Sequence, residues 1–210
     1  MIQLIKRLQE ELQKELPGEA AHLDVIPINR PISSKALKEA EYFRESGVAL
    51  ILVEKQDNLQ CILMRRSVHP GSPHSGQIAL PGGKKEDYDV DLEATARRET
   101  MEEIGIELNQ DSLLGLLTPI YIPVSKFKVQ PYIYHYKGQL NFKLDPLEVD
   151  DVFLFDIDLL KSNDVIKRKE ILLSQGYRQK GVPYFDISDE IVWGATAMII
   201  SEFRQLLLRT

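Results

Sequence analysis

Apolar residues recur along this chain with two different periods, and the change between them divides it. Ile2, Ile5, Leu8 and Leu12 fall at helical spacing among Lys6, Arg7, Glu10, Glu11 and Lys14. This pattern predicts an amphipathic helix over residues 2–16 that stops near Pro17-Gly18. Its apolar stripe needs cover, from the rest of the chain or from a second subunit. Residues 17–46 carry no period beyond a short helical stretch around Ala36–Tyr42. Then Gly47–Val53 (GVALILV) and Leu59–Arg65 (LQCILMR) read as two strands joined by a turn at Gln56-Asp57-Asn58. A short strand is expected at Gln77–Leu80, a helix at Leu92–Ile104 ended by Gly105, and strands over Leu113–Ile122, Val129–Tyr136 and Val149–Phe155. Short strands with a turn at Gln175-Gly176 follow between Val165 and Asp186, and a closing helix spans Ala195–Leu208. Mixed strands with a central and a terminal helix predict an α/β sandwich rather than a doubly wound sheet.

Composition narrows the chemistry. The 210 residues are 43% hydrophobic, enough for one domain with an extension, or for two small domains. A net charge of −6 argues against a general nucleic-acid or anionic-membrane surface, yet leaves room for a small anionic substrate in a local basic pocket with a metal ion. Cys61 is the only cysteine, so no internal disulfide or cysteine-based zinc site is expected, and a buried role in its strand is. No run of about 18 apolar residues is present to span a membrane. The N-terminal sequence lacks a secretory pattern, and its acidic residues do not suit an organelle transit peptide, which makes the cytoplasm the expected compartment.

The densest chemistry lies in Gly82–Ile106, GGKKEDYDVDLEATARRETMEEIGI. Glu99, Glu102 and Glu103 fall within an arc of about 100° on a helical wheel, beside the Leu92, Ala96, Thr100 and Ile104 side that would pack on the sheet. Two carboxylates about 4 Å apart repel by roughly 4 kcal/mol at a surface-like dielectric, so three together call for a cation. All-oxygen ligation suits Mg²⁺ or Mn²⁺. A solvated acidic face, with Arg98 simply pairing Glu102, is the bland alternative. The double glycine upstream weighs against it, because backbone without side chains can approach a metal or phosphate closely.

This segment resembles the Nudix box at Gly83, Arg98-Glu99, Glu102-Glu103, Gly105 and Ile106. It departs from the box in three ways. Asp89 replaces the early glutamate, eight residues instead of seven separate it from Arg98, and Thr100 replaces an aliphatic residue. The longer loop leaves Asp89, Asp91 and Glu93 as alternatives for supporting Arg98. The resemblance implies a Nudix-type α/β/α sandwich with a mixed sheet and hydrolysis of a nucleoside diphosphate derivative. It implies that Glu99, Glu102 and Glu103 ligate the metal, with the Gly83 carbonyl as a further ligand, while Arg98 orients the glutamates. One glutamate of the box, or an outside acid such as Glu148, would deprotonate the attacking water.

Upstream, ILMRRSVHPGSPHSGQIALPGG resembles the motif that precedes the box in coenzyme A diphosphatases. Arg66, Ser67, His74, Gly76, Gln77, Pro81, Gly82 and Gly83 fit it, whereas Met64 and Leu80 depart from it. The arginine expected between its halves is missing, with Gly71 and Ser72 in that region. Ser125, Phe127, Val129 and Pro131, then Glu148-Val149 and Ile191–Ala197, resemble the family downstream. The resemblance therefore covers about residues 45–210 as a Nudix domain and leaves residues 1–44 as an N-terminal helical extension. It implies Arg66, His74, Gly76, Gln77 and Gly82 as substrate-binding residues, with Arg66 rather than its neighbour Arg65 facing the cleft. Trp193 and Phe127 are expected to pack in the core.

The substrate this favours is coenzyme A or an acyl-coenzyme A. The alternatives are a dinucleotide, a nucleotide sugar or a nucleoside triphosphate. Two other classes are a silent nucleotide-sensing module, which the retained acids argue against, and an isomerase using Cys61. The unexplained N-terminal stripe makes a homodimer an expectation.

Overall fold

The computed structural model describes residues 1–27, 30–55, 58–69, 74–172, 176 and 178–210. Three helices open the chain, α1 (Ile2–Leu12), α2 (Glu19–His22) and α3 (Ser33–Lys38). Then come β1 (Arg44–Lys55), β2 (Asn58–Arg66), β3 (Ile78–Ala79), β4 (Gly82–Lys84) and α4 (Leu92–Ile104). Strands β5 (Leu113–Leu116), β6 (Ile120–Ile122), β7 (Phe127–Tyr136) and β8 (Val149–Asp156) follow, then β9 (Ile166–Leu172), β10 (Arg178–Ile187), β11 (Glu190–Val192) and α5 (Gly194–Leu207).

The eight strands β1–β8 form one mixed sheet. Its centre is β1, antiparallel to β2 and β4 and parallel to β7. The other three strands form a second, antiparallel sheet in the order β11-β10-β9. Alternate residues of β1 serve opposite cores. Ala49, Ile51 and Val53 pack with Ala96 and Ile104 of α4, whereas Leu50 and Leu52 pack with Leu8 of α1 and Phe203 of α5. Helices thus cover both faces, which is the α/β/α sandwich. This is also why GVALILV is a continuous apolar run: a strand buried on both sides has no polar face to alternate with. A β-carbon on Gly47 would fall 2.1 Å from the Leu92 carbonyl oxygen, so α4 lies directly on the β1 backbone.

Several expectations change. Helix α1 ends at Leu12, a turn before residue 16, since Pro17 restricts Leu16 to extended backbone. Ile2 is 83% exposed and leaves the stripe, while Ile5, Leu8 and Leu12 enter the core shared with β5 and α5. The stripe is therefore covered by its own chain. Asn58 begins β2 rather than closing a turn, and Gln56, Asp57 and Gln175 lie outside the described residues, as do Gly71 and Ser72. Cys61 is fully buried in mid-strand. Among the described residues no helix is long and apolar enough to cross a membrane.

Candidate active site

Two short strand segments and one helix bring the acids together. Strand β4 pairs with β1 through Gly83–Gly47 and Gly82–Val48, directly under α4. A β-carbon on Gly83 would fall 2.4 Å from Glu99 Cδ, so the glycine is what lets the strand press against that carboxylate. Glu103, one turn on, is buried; its Oε2 accepts from Gly82 N at 2.8 Å and its Oε1 faces Arg66 Nη1 at 3.4 Å. Glu148, on the exposed approach to β8, completes the group. Glu99, Glu103 and Glu148 each offer an oxygen, and these oxygens lie within 4.8 Å of one another.

Glu102 stands apart from this cluster. Its side chain is 56% exposed and its Oε2 accepts from Arg98 Nη1 at 2.7 Å. Arg98 itself answers the question left by the lengthened loop. Its Nε and Nη2 donate to Asp89 at 3.0 and 2.9 Å, a two-pronged contact, and Nη1 also reaches Glu99 at 2.8 Å. Asp91 instead caps α4 through Ala94 N, and Glu93 binds Arg97 and the Tyr134 hydroxyl. Asp89 is fixed in turn by Thr95 Oγ1 and the Glu86 amide. The Arg98 guanidinium, aided by these two donors, holds its carboxyl down at about 2. Thr100 keeps its buried place by bonding its hydroxyl to the Ala96 carbonyl at 2.7 Å.

The electrostatics separate the acids. Burial pushes the Glu103 carboxyl up to about 8; the Gly82 amide and Arg66 oppose this, and the charges of Glu99 and Glu148 add to it. Burial also raises Glu99, against the pull of Arg98. Three carboxylates converge with less positive charge than they need, and every donor is an oxygen. That set fits a hard divalent cation.

The acids form the floor of a cleft of about 1010 Å³. Arg66, His74, Gln77, Gly82 and Gly83 line it with them. Arg65 points away to Glu190 and Asp150, and His74 Nδ1 lies 3.2 Å from Gln77 Oε1. Gly76 supplies a left-handed turn (φ 67) just before Gln77. Trp193, expected in the core, is half-buried on the cleft wall, whereas Phe127 lines the wall while packing against the core as expected, and Arg44 stacks over the Phe127 ring at 4.1 Å. Sequence reasoning also missed Arg30, Arg178 and Lys180, which reach the wall from segments with no motif.

Fold and floor together define an α/β/α sandwich with a carboxylate-based cleft suited to a cation and an anionic substrate. A family model described as the NUDIX domain matches residues 43–175. Nudix hydrolase 22, chloroplastic, of Arabidopsis thaliana is 32% identical over 164 residues, 75% of this chain and 53% of that protein. The mitochondrial coenzyme A diphosphatase NUDT8 of Homo sapiens is 34% identical over 139 residues, 64% of this chain and 57% of that one. A solved MutT/nudix family protein from Enterococcus faecalis shares the fold at a TM-score of 0.56 and 16% identity, over 93% of this chain and 76% of that chain. The chain belongs to the Nudix family. It spans about half the length of the first curated relatives it matches.

Proposed function

We propose that the protein hydrolyses the diphosphate linkage of coenzyme A or an acyl derivative, giving a phosphopantetheine-type product and adenosine 3′,5′-bisphosphate. The observation that carries this is the convergence of Glu99, Glu103 and Glu148 on the floor of a cleft walled by Arg66, His74 and Gln77. The choice of coenzyme A is supported by the motif upstream of the box and by the likeness to the human coenzyme A diphosphatase.

Glu99 and Glu103 are the residues proposed to hold Mg²⁺ or Mn²⁺, with Glu148 and the Gly83 carbonyl beside them. A divalent cation supplies charge neutralisation for the diphosphate and greater acidity for the attacking water. Arg98, clamped by Asp89, fixes the Glu99 and Glu102 carboxylates. Arg66 stands at the edge of the floor, where its guanidinium can offset charge on the phosphate that leaves. Water adds to one phosphorus as the bridging P–O bond breaks, and its proton passes to a carboxylate. Glu148 suits that role: Glu99 already accepts from Arg98 and Glu103 from Gly82 N, whereas Glu148 lies at the solvent edge.

A panel of coenzyme A, acetyl-coenzyme A, a dinucleotide, a nucleotide sugar and a nucleoside triphosphate, each with Mg²⁺ and with Mn²⁺, tests the reading. Coenzyme A or its acyl form should give the highest kcat/KM. Good dinucleotide cleavage with no coenzyme A turnover would replace it by the same chemistry on another nucleoside diphosphate derivative, the reading that the missing motif arginine favours.

We further infer an extension over residues 1–44 on a Nudix domain of 45–210, supported by the family match beginning at residue 43. A single buried cysteine suits a reducing compartment such as the cytoplasm. The α1 stripe no longer argues for a homodimer. A dimeric mass in light scattering would place its interface elsewhere.

A further inference from the structure

One wall of the cleft comes from outside the motifs. Between α1 and α3 the chain is strapped onto α5. Gly18 N donates to Glu202 Oε1 at 2.9 Å, Ser201 Oγ donates to the Ala21 carbonyl at 2.6 Å, and Val25 is fully buried in the core. From this strap Pro27, Arg30 and Pro31 reach the cleft wall. Arg30 is half-buried, and its Nη2 donates to the Tyr121 carbonyl of β6 at 3.0 Å.

That contact places the guanidinium but leaves its charge unopposed. No carboxylate among the described residues pairs with Arg30, and burial lowers its pKa to about 10. The other cations of the wall differ. Arg66 faces Glu103, Lys84 faces Glu86, Arg178 faces Glu170, and Lys180 is exposed to solvent. A half-buried guanidinium with one neutral partner has donors left for an anion.

Strand register gives its distance from the chemistry. Tyr121 pairs with Lys128 on β7, Lys128 with Glu45 on β1, and β1 with β4. Three inter-strand spacings of about 4.8 Å put the Tyr121 carbonyl roughly 14 Å across the sheet from the Gly83 edge of the acid floor. That is too far for the diphosphate itself. It is of the order of a ribose carrying a phosphate at each of two positions, together with the cation contact at one end and the guanidinium contact at the other.

We propose that Arg30 is a substrate-binding residue that sets specificity, holding the phosphate monoester on the ribose 3′ position while the floor holds the diphosphate. The proposal rests on the coenzyme A reading above, and binding measurements separate the two. Trp193 is the only tryptophan and lines the same cleft, so its fluorescence reports ligand entry. The full chain without divalent cation is titrated with adenosine 3′,5′-bisphosphate and with adenosine 5′-monophosphate, and calorimetry provides the same constants independently. The wild-type protein should prefer the bisphosphate by about tenfold or more, the range for a charge-assisted hydrogen bond. Arg30→Gln should bring the two ligands to within about twofold of each other, and Arg30→Lys should retain part of the preference. With coenzyme A and dephospho-coenzyme A as substrates, Arg30→Gln should raise KM for the first alone and leave kcat nearly unchanged.

An absent wild-type preference, a preference that survives Arg30→Gln, or an equal loss for both ligands overturns the proposal; the last would mark Arg30 as only structural. If the bisphosphate binds through Arg30 while no coenzyme A is hydrolysed, the subsite stands and the coenzyme A reading falls.

Discussion

Two buried glutamates, one on each side of the large sheet, live under opposite conditions. Glu202 on α5 accepts from Gly18 N at 2.9 Å, Thr118 N at 3.0 Å and Thr118 Oγ1 at 2.7 Å, and His22 Nε2 stands 3.5 Å away. Burial alone would raise its carboxyl, but these donors outweigh it and hold the group below its ordinary range. Glu103 on α4 is as deeply buried, yet it has one amide at 2.8 Å, an arginine at 3.4 Å and two carboxylates for neighbours. Its carboxyl is pushed up to about 8. A buried acid saturated with donors is a structural joint, here fastening the N-terminal strap to the closing helix. A buried acid left short of positive charge is where we propose that a cation sits.

Exchanging each acid for its amide tests that contrast. Glu103→Gln should cut kcat by at least about 100-fold, since losing even an outer-shell partner of a metal ligand typically costs 10–100-fold. The variant should melt no lower than wild type in divalent-free buffer, because a carboxyl that must either take up a proton or stay charged in the interior has been replaced by a neutral amide. A drop in melting temperature with activity retained would make Glu103 the structural acid and reverse the comparison.

Glu202→Gln should do the opposite. It replaces an acceptor carboxylate by an amide that turns a donor toward the Gly18 or Thr118 amide, costing about 2 kcal/mol. The kcat should stay near wild type, since Glu202 is not on the cleft wall, and any loosening of the strap should appear in KM. Because the folded carboxyl lies below its ordinary 4.5, its stabilisation is present above that pH and is lost as pH falls through the folded value. The gap between the wild-type and variant melting temperatures should therefore narrow below about pH 4.5. A gap that widens in acid would contradict the saturated-acceptor picture.

The two acids were unequally legible in the sequence. Glu103 stood out because its signal is local: acids one turn apart, an arginine before them and a double glycine upstream. The bounds of α4 and the long strands β1, β2 and β7 were legible for the same reason, as each is a local run of residues, unbroken and apolar over GVALILV in the case of β1. Glu202 looked like one polar residue in an amphipathic helix, because its partners Gly18, His22 and Thr118 lie far away in the chain. Strands β4 and β11, three residues each, are too short to show alternation. The choice of Asp89 over Asp91 and Glu93 depended on how the loop folds back, which charge order alone does not encode. Arg30 left no trace at all: one arginine in an aperiodic segment becomes a cleft residue only through the strap and the register of β6.

The smallest expected effect sharpens the boundary of the acid floor. Glu102 matches the family pattern as well as Glu103 does, yet it is exposed and spends its carboxylate on Arg98. Removing that ion pair should cost about 0.5 kcal/mol or less of stability, as exposed i,i+4 pairs do. Arg98 keeps its two-pronged hold on Asp89 and its bond to Glu99, so the orientation of Glu99 should survive. Glu102→Gln should therefore lower kcat by less than about tenfold, well short of the Glu103→Gln loss. A titration of Mn²⁺ against activity places the difference. A modest fall in kcat with unchanged Mn²⁺ dependence assigns Glu102 to orienting Arg98. A loss as deep as that of Glu103→Gln, with a weakened Mn²⁺ response, would show that Glu102 leaves Arg98 for the ions once they bind.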